Sequence, residues 1–153
     1  DFCLSRGLGD VYKRQLVAAS IGATVVEQPM PAGADEILAR IPHPVPVCAD
    51  ESVHSTIDLQ GICGRYDYVN VKLDKTGGLT EGVAFVREAR RLGFGVMVGC
   101  MVGTSLAMAP AVLLAQTADL VDLDGPLLLA RDRPNGLVYG PSLVSPPDRT
   151  LWG

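Results

Sequence analysis

The sequence predicts an α/β fold in which parallel strands alternate with helices. Three observations carry this. Short valine-rich apolar runs recur along the chain, helix-period segments separate them, and charged residues close the runs in phase. Strand alternating with helix several times over is the pattern of a parallel sheet covered by helices.

The strand candidates are residues 23–27, 45–50, 68–73, 95–99 and 120–124. Each is short and apolar in the way of strands buried on both faces. The helical candidates are 35–41, 56–65, 80–92 and 105–116. The third is the best marked: it follows Gly77-Gly78, carries Val83, Ala84, Val86 and Ala89 at helical spacing, and stops at Gly93, a residue suited to the position after a helix. Ser55 and Thr104 are placed to cap the helices that follow them.

Composition narrows the function. Thirteen Lys and Arg against seventeen Asp and Glu give a net charge of −4 over 153 residues, and aromatics make up 5%. An acidic chain without a basic run or a stacking platform excludes nucleic acid and anionic membranes as main partners. The longest apolar region, 96–115, is interrupted by Gly99, Gly103, Thr104, Ser105 and Pro110, so it is no membrane span. Cys3, Cys48, Cys63 and Cys100 form no closely spaced pair. A disulfide framework or structural zinc site is therefore not expected, and a reducing cytoplasm is the expected compartment.

The charged residues are the informative ones. Glu27, Asp50, Lys72 and the pair Asp122 and Asp124 stand at the C-terminal ends of strand candidates, with steps of 23 and 22 residues between the first three. In Val69-Asn70-Val71-Lys72-Leu73, strand alternation puts Asn70 and Lys72 on one face, and the same period puts Asp122 and Asp124 together. Charges recurring at one rim point to a β/α barrel, whose functional groups gather at the C-terminal ends of the strands. The chain is too short for the complete eight-fold form, which takes roughly 250 residues, so a partial barrel is expected.

Two carboxylates on neighbouring strand ends suit Mg²⁺, a cation that takes hard oxygen donors. A lysine beside such an ion has its ammonium form disfavoured and becomes a competent base. On residue types alone, Glu27, Asp50 and Lys72 fit either metal-assisted proton abstraction or a plain ion-pair network. Asp122 and Asp124 fit either a cation clamp, for a second metal or a substrate ammonium, or a pair of solvated, helix-capping carboxylates.

These residues sit in a larger pattern. Glu27-Gln28-Pro29, Ala49-Asp50-Glu51-Ser52, the run from Val69 to Leu79 through Lys72-Leu73-Asp74-Lys75, Gly99-Cys100-Met101 and Asp122-Leu123-Asp124-Gly125 together resemble the enolase superfamily, in its muconate-lactonizing subgroup and nearest its dipeptide epimerases. The resemblance covers about residues 16–139. It implies the C-terminal half of a TIM-type barrel, with Glu27 and Asp50 as two of three Mg²⁺ ligands. It implies that Lys72 is one of two opposed bases that remove and return an α-proton, while Mg²⁺ stabilises the resulting enolate. Asp122 and Asp124 are then the groups that hold the free ammonium of a dipeptide such as L-Ala-D/L-Glu. Cys100 and Met101 are expected at the substrate, and Glu51 and Lys75 just behind the site. The implied partners are a small dipeptide and further copies of the chain.

Some features depart from that pattern. The capping domain, a third metal carboxylate and a Lys-x-Lys strand are missing from this sequence, which opens on Asp rather than Met. Residues 1–15 show no period and match nothing, so a foreign or disordered segment is expected there, and residues 140–153, with Pro141, Pro146 and Pro147, are expected to form an irregular tail. The chain alone, with two metal ligands in place of three and one base in place of two, is therefore expected to bind Mg²⁺ weakly and to be inactive as an epimerase. A cycloisomerase, an o-succinylbenzoate synthase, an N-acylamino acid racemase or a non-catalytic half-barrel are the alternative readings. On residue types alone, His43 and His54 read as surface loop residues, Met101 and Met108 as core, and Arg87, Arg90 and Arg91 as a solvated helix face.

Overall fold

A computed structural model describes residues 2–153, with side chains from Val11 onward. Helix α1 (Phe2–Ser20) leads into β1 (Val26–Glu27). A 3₁₀ turn (Glu36–Arg40) precedes β2 (Val47–Ala49), and a second one (Thr56–Ile62) precedes β3 (Tyr68–Lys72). Then come α2 (Leu73–Thr76), α3 (Leu79–Arg91), β4 (Gly95–Gly99), α4 (Ser105–Ala115), β5 (Leu120–Val121) and a third 3₁₀ turn (Gly125–Leu128).

The five strands pair in the order β1-β2-β3-β4-β5, every pair parallel. This is the curled half-barrel of a partial TIM-type fold. Register places Lys72 opposite Gly99 and Glu27 opposite Cys48, which aligns the C-terminal strand ends at one rim.

Strand alternation divides the sheet into two faces. Val47, Ala49, Val69, Val71, Val96 and Val98 are fully buried against the helices, in one core with Phe85, Ala89, Met108 and Val112. Each such valine, phenylalanine or methionine contributes about 1.5–3 kcal/mol through burial. The opposite face carries Asn70 and Lys72, whose charge and amide lie toward the rim. Helix α3 buries Gly82, Phe85, Val86 and Ala89, the spacing of one helical stripe. It ends as the sequence indicates: Gly93 has φ +89°, its N–H donates to the Arg90 carbonyl, and the Phe94 N–H donates to Ala89. Gly77 and Gly78, at φ +83° and +130°, make the turn that separates α2 from α3.

Several expectations are revised. The helical segments around 35–41 and 56–65 form only 3₁₀ turns of five and seven residues, closed by Ile41 and Cys63 in extended or non-helical backbone. The stretch 1–15, read as patternless, is helical from Phe2. Its anchor is polar: Gln15 is 1% exposed and its Oε1 accepts the Val45 N–H at 3.0 Å, with Val11 buried one turn before. Thr104 makes no side-chain cap. That role falls to Asp132, whose Oδ1 accepts the Ser105 N–H at 2.9 Å. In the 140–153 segment, Tyr139 and Val144 form one antiparallel bridge. Among the described residues, no helix is long and apolar enough to cross a membrane.

Candidate active site

The rim of β1, β2 and β3 brings Glu27, Asp50 and Lys72 together. Lys72 Nζ donates to Asp50 Oδ2 at 2.9 Å and lies 3.9 Å from Glu27 Oε1. Lys75, one turn into α2, donates to Asp50 Oδ1 at 2.5 Å. Asn70, two residues before Lys72 on the same face, donates to Glu27 Oε1 at 2.6 Å. Glu51 is exposed and acts on this cluster only through its charge.

Burial separates the two carboxylates. The Asp50 side chain is 7% exposed and that of Glu27 35%. Burial pushes the Asp50 carboxyl up, but hydrogen bonds and charge from Lys72 and Lys75 hold it below the usual range. Burial presses the Lys72 ammonium down, yet the Asp50 hydrogen bond and charge, with Glu27 and Glu51 behind, carry it above its ordinary value. The protein groups alone thus favour the ammonium form of Lys72, and a divalent cation on the two carboxylates would act in the opposite direction.

The donor chemistry fits such a cation. Glu27 and Asp50 offer hard oxygens from rigid strand ends, and Mg²⁺ is commonly held by one or two carboxylates with waters completing its shell. Among the described residues, no group of three or more metal-binding side chains lies together.

The β4 and β5 ends form the other side of the rim. Cys100 follows β4 and is half-buried. Burial pushes its thiol up, the Gly125 N–H opposes this, and the charges of Asp122 and Asp124 on one side and Lys72 on the other act on it too. Asp122 and Asp124 are exposed, with buried Leu123 between them. They share the solvent side, but not as alternate residues of a strand: β5 ends at Val121, and Asp124 has helical backbone. A cavity of about 260 Å³ lies beside them, walled by Tyr139, Leu143 and Val144. Burial pushes the Tyr139 hydroxyl up to about 12, and it donates to the Leu123 carbonyl at 2.8 Å. Met101 is 49% exposed, at the rim and outside the core, whereas Met108 is 1% exposed.

A polar cluster beneath the rim has no counterpart in the sequence reading. Gln28 directly follows Glu27 and has φ +37°, a left-handed conformation that costs an ordinary residue about 1 kcal/mol. Its Oε1 accepts the Asp50 N–H at 2.8 Å, and its Nε2 donates to the Met30 carbonyl, Ser52 Oγ and Tyr66 Oη at 2.7, 2.8 and 2.9 Å. Asp35, 1% exposed, lies behind and accepts from Ser52, Tyr66 and Arg65. The sole signal in the sequence is an amide beside a strand-end carboxylate. One further reading changes: the His43 ring bonds to Asp67 at 2.8 Å and is 14% exposed. Arg90 is exposed on its helix face, as read, and pairs there with Asp119 at 2.6 Å.

Residues 12–129 match the family described as Enolase C-terminal domain-like. An N-acetyl-D-glutamate racemase from Pseudoalteromonas is 52% identical over 88% of this chain and 42% of its own length. The L-Ala-D/L-Glu epimerase of Escherichia coli is 50% identical over 83% of this chain and 39% of its own. A solved enolase family member from Agrobacterium tumefaciens, with homology to dipeptide epimerases and with sodium and L-Ala-L-Glu bound, is 60% identical. It superposes with a TM-score of 0.92 over 95% of this chain and 44% of its own. The chain thus spans about two fifths of the length of these relatives, which are isomerases where their activity is named. A parallel half-barrel with its charged groups at one rim, matched over most of its length, makes this chain a member of the enolase C-terminal domain-like family.

Proposed function

We propose that this chain supplies two metal ligands and one base of a Mg²⁺-dependent epimerase that moves the proton α to a carboxylate of a dipeptide. Glu27 and Asp50 would hold the metal, Lys72 would take the proton, and Asp122 and Asp124 would hold the substrate ammonium. The observation that carries this reading is Lys72 Nζ beside both carboxylates, at 2.9 and 3.9 Å, on three adjacent strand ends. Bound Mg²⁺ would stabilise the negative charge that develops on the substrate carboxylate. The protein's part is to aim Lys72 from a paired strand, to neutralise Asp50 through Lys75, and to fix Glu27 through Asn70. Cys100 and Met101 would form the wall between the base and the ammonium clamp.

A second reading is favoured by the 52% identity to an N-acetyl-D-glutamate racemase. An N-acylated substrate has no ammonium and leaves Asp122 and Asp124 without a partner. Proton exchange in D₂O separates the two. L-Ala-L-Glu and N-acetylglutamate are each incubated with the chain and Mg²⁺, and the α-proton signal is followed by ¹H NMR. The expected result is Mg²⁺-dependent exchange of the dipeptide, with retention, because Lys72 works on one face. Exchange should vanish in Lys72→Ala. Exchange of N-acetylglutamate alone would favour the second reading, and no exchange of either compound, or exchange unchanged by Lys72→Ala, would overturn both.

A further inference from the structure

We propose that Gln28 is a positioning residue that sets the separation of the Glu27 and Asp50 carboxylates, working from an anchor on Asp35. The inference rests on the reading of those two carboxylates as metal ligands. It is carried by a hydrogen-bond pattern that fixes which way the Gln28 amide faces.

Ser52 Oγ and Tyr66 Oη each have a single proton. Both donate to Asp35 Oδ2, at 2.5 and 2.7 Å, while Arg65 Nη1 donates to Asp35 Oδ1 at 2.5 Å. With their protons spent on Asp35, the two hydroxyls turn lone pairs toward Gln28 Nε2, which donates to them and to the Met30 carbonyl. The orientation of the Gln28 amide follows. A reversed amide would set its oxygen against the Met30 carbonyl and its NH₂ against the Asp50 N–H, losing every one of these bonds. Held this way, Oε1 faces the β2 end and accepts the Asp50 N–H at 2.8 Å and the Ser52 N–H at 3.3 Å.

Gln28 is therefore bonded covalently to one carboxylate residue and through its side chain to the backbone of the other. The ladder alone would hold them loosely, since β1 has two residues and pairs with β2 only at Val26–Val47 and Glu27–Cys48. Gln28 holds a left-handed φ while its side chain reaches back to β2, and its hydrogen bonds sustain that conformation. Groups that orient a ligand without touching the metal commonly change metal affinity about 10- to 100-fold.

The test is Mn²⁺ binding, read by electron paramagnetic resonance on the full chain. Gln28→Met keeps the length of the side chain and removes its hydrogen bonds, and its Mn²⁺ Kd should rise about tenfold. Glu27→Gln should also weaken binding. If Gln28 acts by placing Glu27 against Asp50, the two effects will not add: in the Glu27→Gln background, Gln28→Met should change Kd less than about threefold. A merely structural role predicts the same factor in both backgrounds. Tyr66→Phe, which removes one acceptor from Nε2 far from the metal, should weaken binding by a few-fold and serves if Gln28→Met does not fold. The proposal is overturned if Mn²⁺ binding is weakened by Glu27→Gln but unchanged by Gln28→Met, or by Tyr66→Phe where the former is unfolded. It also falls if the two effects add fully. Parent protein that binds no Mn²⁺, or binds it independently of Glu27 and Asp50, overturns the metal reading itself, and this inference with it.

Discussion

Asn70 closes against Gly99 across the β3–β4 pair so tightly that a Cβ at position 99 would lie 2.5 Å from Asn70 Oδ1 and 2.7 Å from Nδ2. The glycine is the space in which the Asn70 amide sits while Nδ2 reaches Glu27. Gly99→Ala should therefore push Asn70 aside and release Glu27. Overpacking of this kind costs about 1–3 kcal/mol. Urea unfolding should show that loss, and Mn²⁺ affinity should fall with it. Unchanged stability would mean that Asn70 moves freely.

Asp35 sets an acid limit. Burial pushes its carboxyl up, but bonds from Ser52 and Tyr66 and the charge of Arg65 hold it below the ordinary 3.8. The folded state therefore binds fewer protons than the unfolded state just below that value. The stabilisation is complete above the unfolded pKa and is lost as pH falls through the folded one. Asp35→Asn removes this dependence. The fall in urea midpoint between about pH 6 and about pH 3 should be smaller in the variant than in the parent. Parallel falls would place the acid sensitivity elsewhere.

Asp132 caps α4 from 27 residues away, accepting the Ser105 N–H and hydroxyl, while Ser105 Oγ in turn accepts the Leu137 N–H. Asp132→Ala should cost about 1 kcal/mol, as loss of a helix cap does. It should also loosen the tail, measured as faster proteolytic cutting after residue 133. A tail cut no faster than in the parent would show that the bridge between Tyr139 and Val144 suffices.

Asp122 and Asp124 should discriminate between substrates. Replacing both by Asn should weaken binding of L-Ala-L-Glu by about tenfold, the worth of about 1.4 kcal/mol, and leave N-acetylglutamate unaffected. Titration followed by NMR measures both. Equal effects on the two compounds would remove the ammonium clamp.

The strands and α3 were legible because one force shapes them. Burial on both faces makes β4 a plain apolar run from Gly95 to Gly99, and the stripe through Phe85 and Ala89 reads directly as a helix. Strand-end charges stood out against such runs, so Glu27, Asp50 and Lys72 could be found. What stayed hidden was polar. Gln15 fills a core position that an apolar pattern would have shown. Gln28, Asp35, Ser52, Arg65 and Tyr66 lie up to 38 positions apart and meet only through tertiary hydrogen bonds, which leave no period in a sequence. Short turns such as Thr56–Ile62 share helical spacing with real helices until a residue in non-helical backbone, here Cys63, closes them.

The consecutive order of the strands bears on how such a site is inherited. Neighbours in space are neighbours in sequence, so a genetic exchange between units trades whole functional groups. The first three units are cross-bonded through Gln28 to Asp50, Lys72 to Asp50 and Asn70 to Glu27, and can only be passed on as a block. Among the described side-chain bonds, none ties Asp122 or Asp124 to that block; the β5 segment meets β4 through backbone bonds, as where the Asp122 N–H donates to Val98, and through Asp119, which accepts the Val96 N–H. In the roles proposed above, the end that would hold the substrate ammonium can thus diverge while the end that would move the proton is kept.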